Sequence, residues 1–339
     1  WLDRYTFPAE LKFADEAYAT AAADDFINGL LAAGTTTAMV FVTSFLAATD
    51  ALFEAARMRG MRLIAGKVLM DQNVPAALCD TAQQGVDDSR YLIEKWHGKD
   101  RLGYAVSPRF AISSSRAQLR AAGDLFREFP GTWIQTHLSE DREEIARVRE
   151  VHPYARDYLD VYEQNGLVND RAVFGHGLYL SDSELERLAT AGGKLAFCPS
   201  SNLFLGSGLL DMERIRSAGV DISIATDVGG GTGLSMLKTL GDAYKVCQLR
   251  GYSLEAMDAF AMATLGNARA MGLDSCIGNL EPGKEADFIF LSPPDGSILG
   301  RRLDLCLSVE EELFVYMMLG DEGVISETFV GGRTMKRIR

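Results

Sequence analysis

The chain has 339 residues, of which 47% are hydrophobic and 24% are charged, and its formal net charge at pH 7 is −13. These proportions are ordinary for a globular enzyme, and the length is enough for one large barrel with a smaller appendage. The acidic balance leaves no basic surface to neutralise phosphates, which excludes a nucleic acid as the expected partner. No apolar run reaches the length of a membrane span, so we expect no membrane partner either.

Cysteine usage predicts a reducing compartment. The chain has five cysteines, an odd number, and none of them forms a CxxC pair. This pattern favours reduced thiols over a disulfide framework or a cysteine-built zinc site, so we expect a cytoplasmic protein. The chain opens at Trp1 on a loop-like stretch without an initiator Met, and we expect a further segment before it, where any targeting signal would lie.

Helical and strand patterns alternate along the chain as far as residue 272. The predicted helices cover 13–33, 44–59, 82–96, 115–128, 141–165, 181–190, 211–217 and 254–271. The predicted strands cover 35–42, 62–70, 102–107, 132–137, 171–175, 194–198 and 220–226. Such alternation implies an α/β fold with parallel strands joined by right-handed crossovers.

An eighth strand would close a (β/α)8 TIM barrel, and we expect that strand in the segment before Trp1. An open, doubly wound sheet is the alternative, because the same alternation allows it. The barrel is favoured because residues capable of chemistry follow several strands, and a barrel keeps its active site at the carboxyl ends of its strands.

The pattern changes after residue 272. A turn-forming cluster, Gly278–Lys284, is followed by β-like runs at Ala286–Leu291 and Glu327–Arg333. We therefore predict two domains: an incomplete TIM barrel over residues 1–272 and part of a small β-sandwich over residues 273–339.

Three short stretches place acid–base or metal-binding side chains directly after predicted strands. They are Thr136-His137-Leu138-Ser139-Glu140, Gly175-His176-Gly177 and Thr226-Asp227-Val228-Gly229-Gly230. Two histidines, an aspartate and a glutamate can hold a metal ion and move the protons of a bound water.

Each stretch also has a purely structural interpretation. His137 and Glu140 are three residues apart, so they either face one pocket or serve as a backbone-bonded histidine and a capping glutamate. His176 between two glycines would by itself suit a core histidine in a tight turn. The glycine-rich loop after Asp227 could cradle a phosphate, but no Lys follows it, and a strand-end ligand agrees better with the other two sites.

Arg109 and Phe110 follow another predicted strand. An arginine offers a rigid fork of donors and a phenylalanine offers a stacking face, which together suit a flat polar heterocycle. The alternative is a surface salt bridge with a core phenylalanine. We interpret Cys198, in Cys198-Pro199-Ser200, as part of a loop near the pocket, and we expect His97 and His152 to face solvent.

Taken together, these residues resemble the amidohydrolase superfamily. The shared features are His137, His176 and Asp227 in that order on successive strands, and then Ile277–Asp287. Within the superfamily the chain is similar to the guanine deaminases, on five stretches: Tyr5-Thr6-Phe7-Pro8-Ala9-Glu10, Asn28–Thr37, Gly66-Lys67-Val68-Leu69-Met70-Asp71, Ser107-Pro108-Arg109-Phe110 and His137-Leu138-Ser139-Glu140.

The resemblance implies zinc-dependent hydrolysis of guanine to xanthine and ammonia by a cytoplasmic homodimer with one zinc ion per subunit. It implies that His137 and Asp227 bind the metal, that Glu140 shuttles protons, and that His176 and Asp227 take part in catalysis. It places the base against Arg109, Phe110, His137, Leu138, Ser139, Glu140 and Asp227.

One feature of the family is absent from the chain: its first metal-binding pair, a His-x-His, and the substrate-binding Gln after it. Both belong before Trp1, so we expect this chain by itself to bind zinc weakly or not at all. Two alternatives stay open: another amidohydrolase that acts on a nitrogen heterocycle, such as a triazine chlorohydrolase or a different nucleobase deaminase, and a non-catalytic binding relative.

Overall fold

The structure, a computed structural model, describes residues 2–335. Within this range the chain forms two compact units. The first unit holds the residues up to Ile27 together with Thr37–Lys194, and the second holds Asn28–Thr36 together with the residues from Leu195 onward.

The first unit is built on parallel strands in the order β1-β2-β4-β5-β6, with the short β3 paired to β4. The strands are β1 Thr37–Phe41, β2 Arg62–Gly66, β3 Val68–Leu69, β4 Leu102–Pro108, β5 Trp133–Leu138 and β6 Ala172–His176. A side chain at Gly66 would place its Cβ 1.8 Å from the carbonyl oxygen of Ala105, so β2 can lie this close to β4 only with glycine there.

Helices connect these strands. They are α1 Phe7–Glu10, α2 Glu16–Ala32, α3 Leu46–Arg59, α4 Ala82–Trp96, α5 Arg116–Glu128, α6 Arg142–Val151, α7 Tyr158–Glu163 and α8 Asp182–Ala191. Helix α2 extends from the first unit into the second, and α6 and α8 both begin at a capping box, Asp141 with Glu144 and Ser181 with Glu184. Short π- and 3-10-helical turns cover Leu2–Thr6, Leu11–Ala14, Ala76–Leu78 and Ala111–Ser113.

A small apolar cluster fixes the N-terminal segment of the first unit. Phe7 is buried there with Val68, Met70 and Leu78. This cluster joins α1 to the end of β3, and it therefore determines where the side chains of α1 lie.

The second unit continues the alternation and ends in a small sheet. Its strands are β7 Lys194–Phe197, β8 Asp221–Ile224, β9 Phe288–Leu291, β10 Ile325–Val330 and β11 Arg333–Met335. Strand β8 neighbours β7, while β9, β10 and β11 form an antiparallel sheet in the order β11-β10-β9.

The helices of the second unit are α9 Pro199–Leu205, α10 Met212–Ser217, α11 Met236–Leu249, α12 Ala256–Ala261, α13 Asn267–Ala270, α14 Ile298–Leu303 and α15 Val309–Leu319. A π-helical turn at Met262–Gly266 joins α12 to α13, and a 3-10 turn covers Glu322–Val324. Leu237, Val315 and Ile325 are among the buried side chains that pack α11, α15 and β10 together.

The α/β fold class with a small additional β-sheet is confirmed. One predicted helix, 141–165, is wrong: the chain there forms α6 and α7, because Pro153 cannot donate the hydrogen bond that would continue α6. The domain boundary after residue 272 stays a prediction. None of the helices described in residues 2–335 is both long enough and apolar enough to cross a membrane.

Candidate active site

His137 lies near the end of β5 with its ring held in one tautomer. Its Nδ1 is 2.7 Å from the carbonyl oxygen of Arg109, and its backbone N–H donates to the same oxygen at 3.1 Å. A carbonyl oxygen can only accept, so Nδ1 carries the proton and Nε2 carries the lone pair. Metal-binding histidines are usually held in this way, with the second ring nitrogen donating to a carbonyl or a carboxylate.

Tyr162 supports His137 from the backbone side. The buried Tyr162 hydroxyl donates to the carbonyl oxygen of His137 at 2.8 Å and accepts from Oγ1 of Thr136 at 3.0 Å. The hydroxyl therefore acts as both donor and acceptor, and both hydrogen bonds fix the last residues of β5. Sequence reasoning missed this tyrosine, because an aromatic residue in a short helix that is buried along most of its length carries no signal of such a contact.

Glu140 and His176 lie together at the ends of the neighbouring strands β5 and β6. Oε2 of Glu140 is 3.5 Å from Nε2 of His176, and the ring centroids of His137 and His176 are 5.5 Å apart. The His176 side chain is buried. The structure thus brings three of the predicted site residues, His137, Glu140 and His176, into one cluster within the first unit.

The backbone around this cluster adopts unfavourable conformations. Ser139 has φ of 51° and His176 has φ of 74°, in the left-handed region that residues with a Cβ seldom adopt. Two hydrogen bonds hold the turns in place, from the N–H of Gly177 to the oxygen of Leu138 and from the N–H of Leu178 to the oxygen of Ser139. Strain of this kind costs free energy and concentrates at functional sites.

Leu138 and Ser139 are both buried, and their carbonyl oxygens make those two hydrogen bonds. Their predicted role in binding the base stays a prediction.

A second glutamate, Glu144, holds the backbone of Glu140. Oε2 of Glu144 accepts from the N–H groups of Glu140 and Asp141, at 3.0 and 3.2 Å, and Oε1 accepts from the hydroxyl of Tyr158. Burial raises the pKa of Glu144 to about 7; the Tyr158 hydroxyl lowers it and the charge of Glu140 raises it. The signal for Glu144 in the sequence is the capping-box spacing from Asp141.

Arg109 follows β4 and makes an ion pair with Glu10. Nη1 of Arg109 is 2.7 Å from Oε1 of Glu10, and the guanidinium lies over the ring of Phe7, 5.5 Å from its centroid. The two charged side chains are only 13% and 14% exposed. Phe110 is half-buried with an extended backbone. Arg109 therefore does make a salt bridge, but the pair is largely buried and Phe110 is not in the core, so the alternative of a surface salt bridge with a core phenylalanine is not what the structure has.

Asp227 belongs to the second unit, where it follows β8. Its φ is 49°, another left-handed value at a residue with a Cβ. A side chain at Gly230 would place its Cβ 3.2 Å from Oδ2 of Asp227 and 2.7 Å from Oγ of Ser201, so the glycine-rich loop folds closely around this carboxylate.

The expectations for two other histidines and for Cys198 were wrong. His152 is buried, with Nε2 2.7 Å from the oxygen of Ala111. His97 is half-buried and its Nδ1 accepts from the N–H of Tyr104; burial and then the charge of Arg171 lower the pKa of His97. Cys198 directly precedes α9, so the stretch that follows it is a helix and not a loop.

The imidazole of His137 fits a zinc ion, and the imidazole of His176 lies beside it. The lone pair of His137 is on Nε2, and His176 offers a ring nitrogen within 4.8 Å of a ring nitrogen of His137. Zinc takes imidazole nitrogens and carboxylate oxygens as ligands. Asp227 as a further ligand stays a prediction.

This combination of an α/β fold with histidine and glutamate at the ends of parallel strands is typical of metal-dependent hydrolases. A model of the amidohydrolase family matches residues 1–335, and the chain belongs to this family.

Within the family, the chain is similar to guanine deaminases. It is 47% identical to guanine deaminase of Escherichia coli strain K12 over 333 residues, which are 98% of this chain and 76% of that protein. A solved structure of the E. coli guanine deaminase covers 99% of this chain, and the chain covers 79% of it, with a TM-score of 0.98. A guanine deaminase from C. acetobutylicum, solved with guanine bound in its active site, is 28% identical, with a TM-score of 0.91 over 99% of this chain and 80% of that one.

Proposed function

We propose that this chain hydrolyses guanine to xanthine and ammonia. The observation that carries the proposal is the pairing of Glu140 with His176, 3.5 Å apart, beside a ring-oriented His137. A non-catalytic relative has no need of this cluster, or of the strained backbone at Ser139 and His176. Similarity to guanine deaminases over nearly the whole chain supports guanine as the substrate.

Glu140 is the acid–base group in the proposed mechanism. It takes a proton from the attacking water and delivers it to N3 of guanine while the water oxygen bonds to C2. It then moves the second water proton to the amino group, the C2–N bond breaks, and ammonia leaves with xanthine as the product. One carboxylate acts as base and then as acid, because each step returns it to its starting state.

His137 and Asp227 would hold a zinc ion, which, when bound, lowers the pKa of a coordinated water to roughly 7. His176 and Asp227 orient the attacking water toward C2, and the contact between His176 and Glu140 keeps the proton acceptor on the same side of the base. Glu144 accepts a hydrogen bond from the backbone N–H of Glu140 and so holds the main chain that carries the Glu140 carboxylate.

Arg109 and Phe110 select the base. An arginine fork can donate in parallel to O6 and N7 of guanine, two adjacent acceptors. Adenine carries an amino donor in place of O6, so the same fork opposes a donor and adenine is rejected. Phe110 supplies the stacking face, and Leu138 and Ser139 line the base on the β5 side. The homodimer and the cytoplasmic location implied by the family stay predictions.

The test is a substrate panel on the full-length protein, with any segment that precedes Trp1, after its zinc content has been measured. Xanthine formation and ammonia release from guanine are the expected results. Ammonia from adenine, cytosine or a triazine, with none from guanine, would assign a different amidohydrolase activity. No turnover of any base by folded, metal-loaded protein would favour a non-catalytic relative.

A further inference from the structure

The ion pair between Arg109 and Glu10 uses one end of the arginine fork. Within residues 2–335, Arg109 donates through Nη1 alone, to Oε1 of Glu10 at 2.7 Å and toward Sδ of Met70 at 3.8 Å. The parallel N–H groups of Nε and Nη2 form the other edge of the guanidinium. A bidentate ligand such as the O6–N7 edge of guanine needs one such edge, and contact with Glu10 leaves that edge intact.

The position of Glu10 is fixed by burial of its own helix. Phe7, three residues earlier in α1, is 4% exposed and packs in the cluster with Val68 and Met70. The same Phe7 ring lies beneath the guanidinium of Arg109. The short helix α1 thus contacts Arg109 twice: the carboxylate of Glu10 pairs with Nη1, and the ring of Phe7 lies beneath the guanidinium.

Among the described residues, the side chain of Glu10 makes its hydrogen bond to Arg109. Its second oxygen, Oε2, is buried and has no hydrogen-bond partner within residues 2–335. Burying a carboxylate costs free energy unless the group is paired. Within this range Glu10 has a single partner, so the chain bears this cost in order to hold Arg109. Arg109 is a flexible side chain, and a fork that is already oriented loses less entropy when it binds a base.

We infer that Glu10 is a positioning residue for base specificity: it holds Arg109 so that the Nε–Nη2 edge faces the acceptors O6 and N7 of the base. This inference rests on the proposed function, in which Arg109 is the residue that binds O6 and N7 of the base. It assigns the Tyr5–Glu10 stretch a role in discriminating oxopurines from purines that lack O6.

The test compares guanine with 2-aminopurine, which keeps N7 but has a hydrogen in place of O6. Glu10→Gln preserves the shape of the side chain and removes its charge. We expect guanine binding to weaken about tenfold, the scale of a partly lost bidentate contact, while 2-aminopurine binding changes much less and kcat for guanine is nearly unchanged. Calorimetry measures the binding of both bases on the full-length protein with its metal, in a Glu140→Gln background in which guanine is not turned over, and kcat is measured separately with Glu140 in place.

Glu163→Gln is the matched control. Glu163 is also a partly buried carboxylate, paired with Arg156 and Arg187, and it lies outside the candidate site. Both variants lose charge from an ion pair, so a general effect on folding appears in both melting temperatures. A specific effect appears only in the ratio of guanine to 2-aminopurine affinity, and only in Glu10→Gln.

A double variant tests whether Glu10 acts through Arg109. In an Arg109→Lys background the fork is already lost, so Glu10→Gln should cause little further change in the affinity ratio. An unchanged ratio in Glu10→Gln, or an equal effect with and without Arg109, would overturn the inference. These outcomes are separate from the proposed function, which fails if wild-type protein does not turn guanine over, whatever the binding ratios show.

Discussion

The hydroxyl of Tyr162 donates a hydrogen bond to the carbonyl oxygen of His137 at 2.8 Å, and it accepts one from Thr136 at 3.0 Å. Removing it by Tyr162→Phe takes one hydrogen bond from the carbonyl oxygen of His137, while Oγ1 of Thr136 keeps its contact with the carbonyl oxygen of Arg109 at 3.3 Å. We expect the free energy of unfolding to fall by about 1 kcal/mol, the usual net contribution of one hydrogen bond. Chemical denaturation of both proteins measures it, and an unchanged midpoint would show that this contact does not stabilise β5.

Glu140→Gln should abolish turnover while leaving the fold and the metal content intact. The glutamine is isosteric but cannot carry a proton, and acid–base groups typically contribute ~10²–10⁴-fold to the rate. The full-length variant is assayed for guanine turnover and zinc side by side. Near-normal turnover would remove Glu140 from the mechanism.

Most of the fold could be predicted from the sequence because each element has a local signal. Strands are found at all seven predicted positions; β5, for example, covers Trp133–Leu138 where 132–137 was predicted. Helices α1, α9, α11, α14 and α15 were missed. The region of α15 is apolar around most of its circumference, so it lacks the one-sided pattern that reveals a surface helix.

The residues of the candidate site likewise fall into those that a local sequence signal reveals and those that it does not. His137, Glu140 and His176 could be found because each follows a predictable strand. Glu144 and Tyr162 could not be assigned roles, since their contacts depend on how α6 and α7 pack against the ends of β5. The pairing of Arg109 with Glu10 spans 99 positions in the chain, and sequence spacing carries no information about a contact of that range.

Variants of the proposed metal ligands, His137 and Asp227, should lose more zinc than a variant of the proposed water-orienting residue, His176. We expect His137→Ala and Asp227→Ala each to lower the zinc content of the full-length protein, because each removes a proposed ligand. His176→Ala should keep more zinc and lose activity. Elemental analysis after gel filtration measures the content, and equal zinc loss in all three variants would show that His176 is itself a ligand.

Glu144 predicts a specific pH dependence of stability. Its folded pKa is raised to about 7, mainly by burial, from an ordinary value of 4.5. A raised pKa means that the folded state binds the proton more tightly than the unfolded state. The contribution to stability is therefore fully present below pH 4.5 and is lost as the pH rises toward 7, with a slope of at most about 1.4 kcal/mol per pH unit.

Glu144→Gln should remove this slope, because an amide does not titrate in this range. Unfolding free energies of the two proteins between pH 5 and about 8 provide the comparison. Parallel curves for the wild type and the variant would show that Glu144 does not titrate between its ordinary and its raised pKa.

Arg109 tests the identity of the substrate. Arg109→Ala removes the two donors proposed for O6 and N7 of guanine, and a good bidentate contact is worth about 1–3 kcal/mol of discrimination, so KM for guanine should rise strongly. The carbonyl oxygen that orients His137 belongs to the backbone of Arg109, so zinc content should not change. Because the alanine also leaves Glu10 buried without its partner, melting temperature must be followed in parallel.

Arg109→Lys is the more informative variant, since it keeps a charge beside Glu10 but cannot reproduce the fork. We expect it to recover stability fully and guanine affinity only in part. Phe110→Leu should do less harm than either, because it loses stacking but keeps bulk. Unchanged guanine kinetics in both arginine variants would show that the Arg109–Glu10 pair is a structural salt bridge. Other residues would then have to bind O6 and N7 of the base.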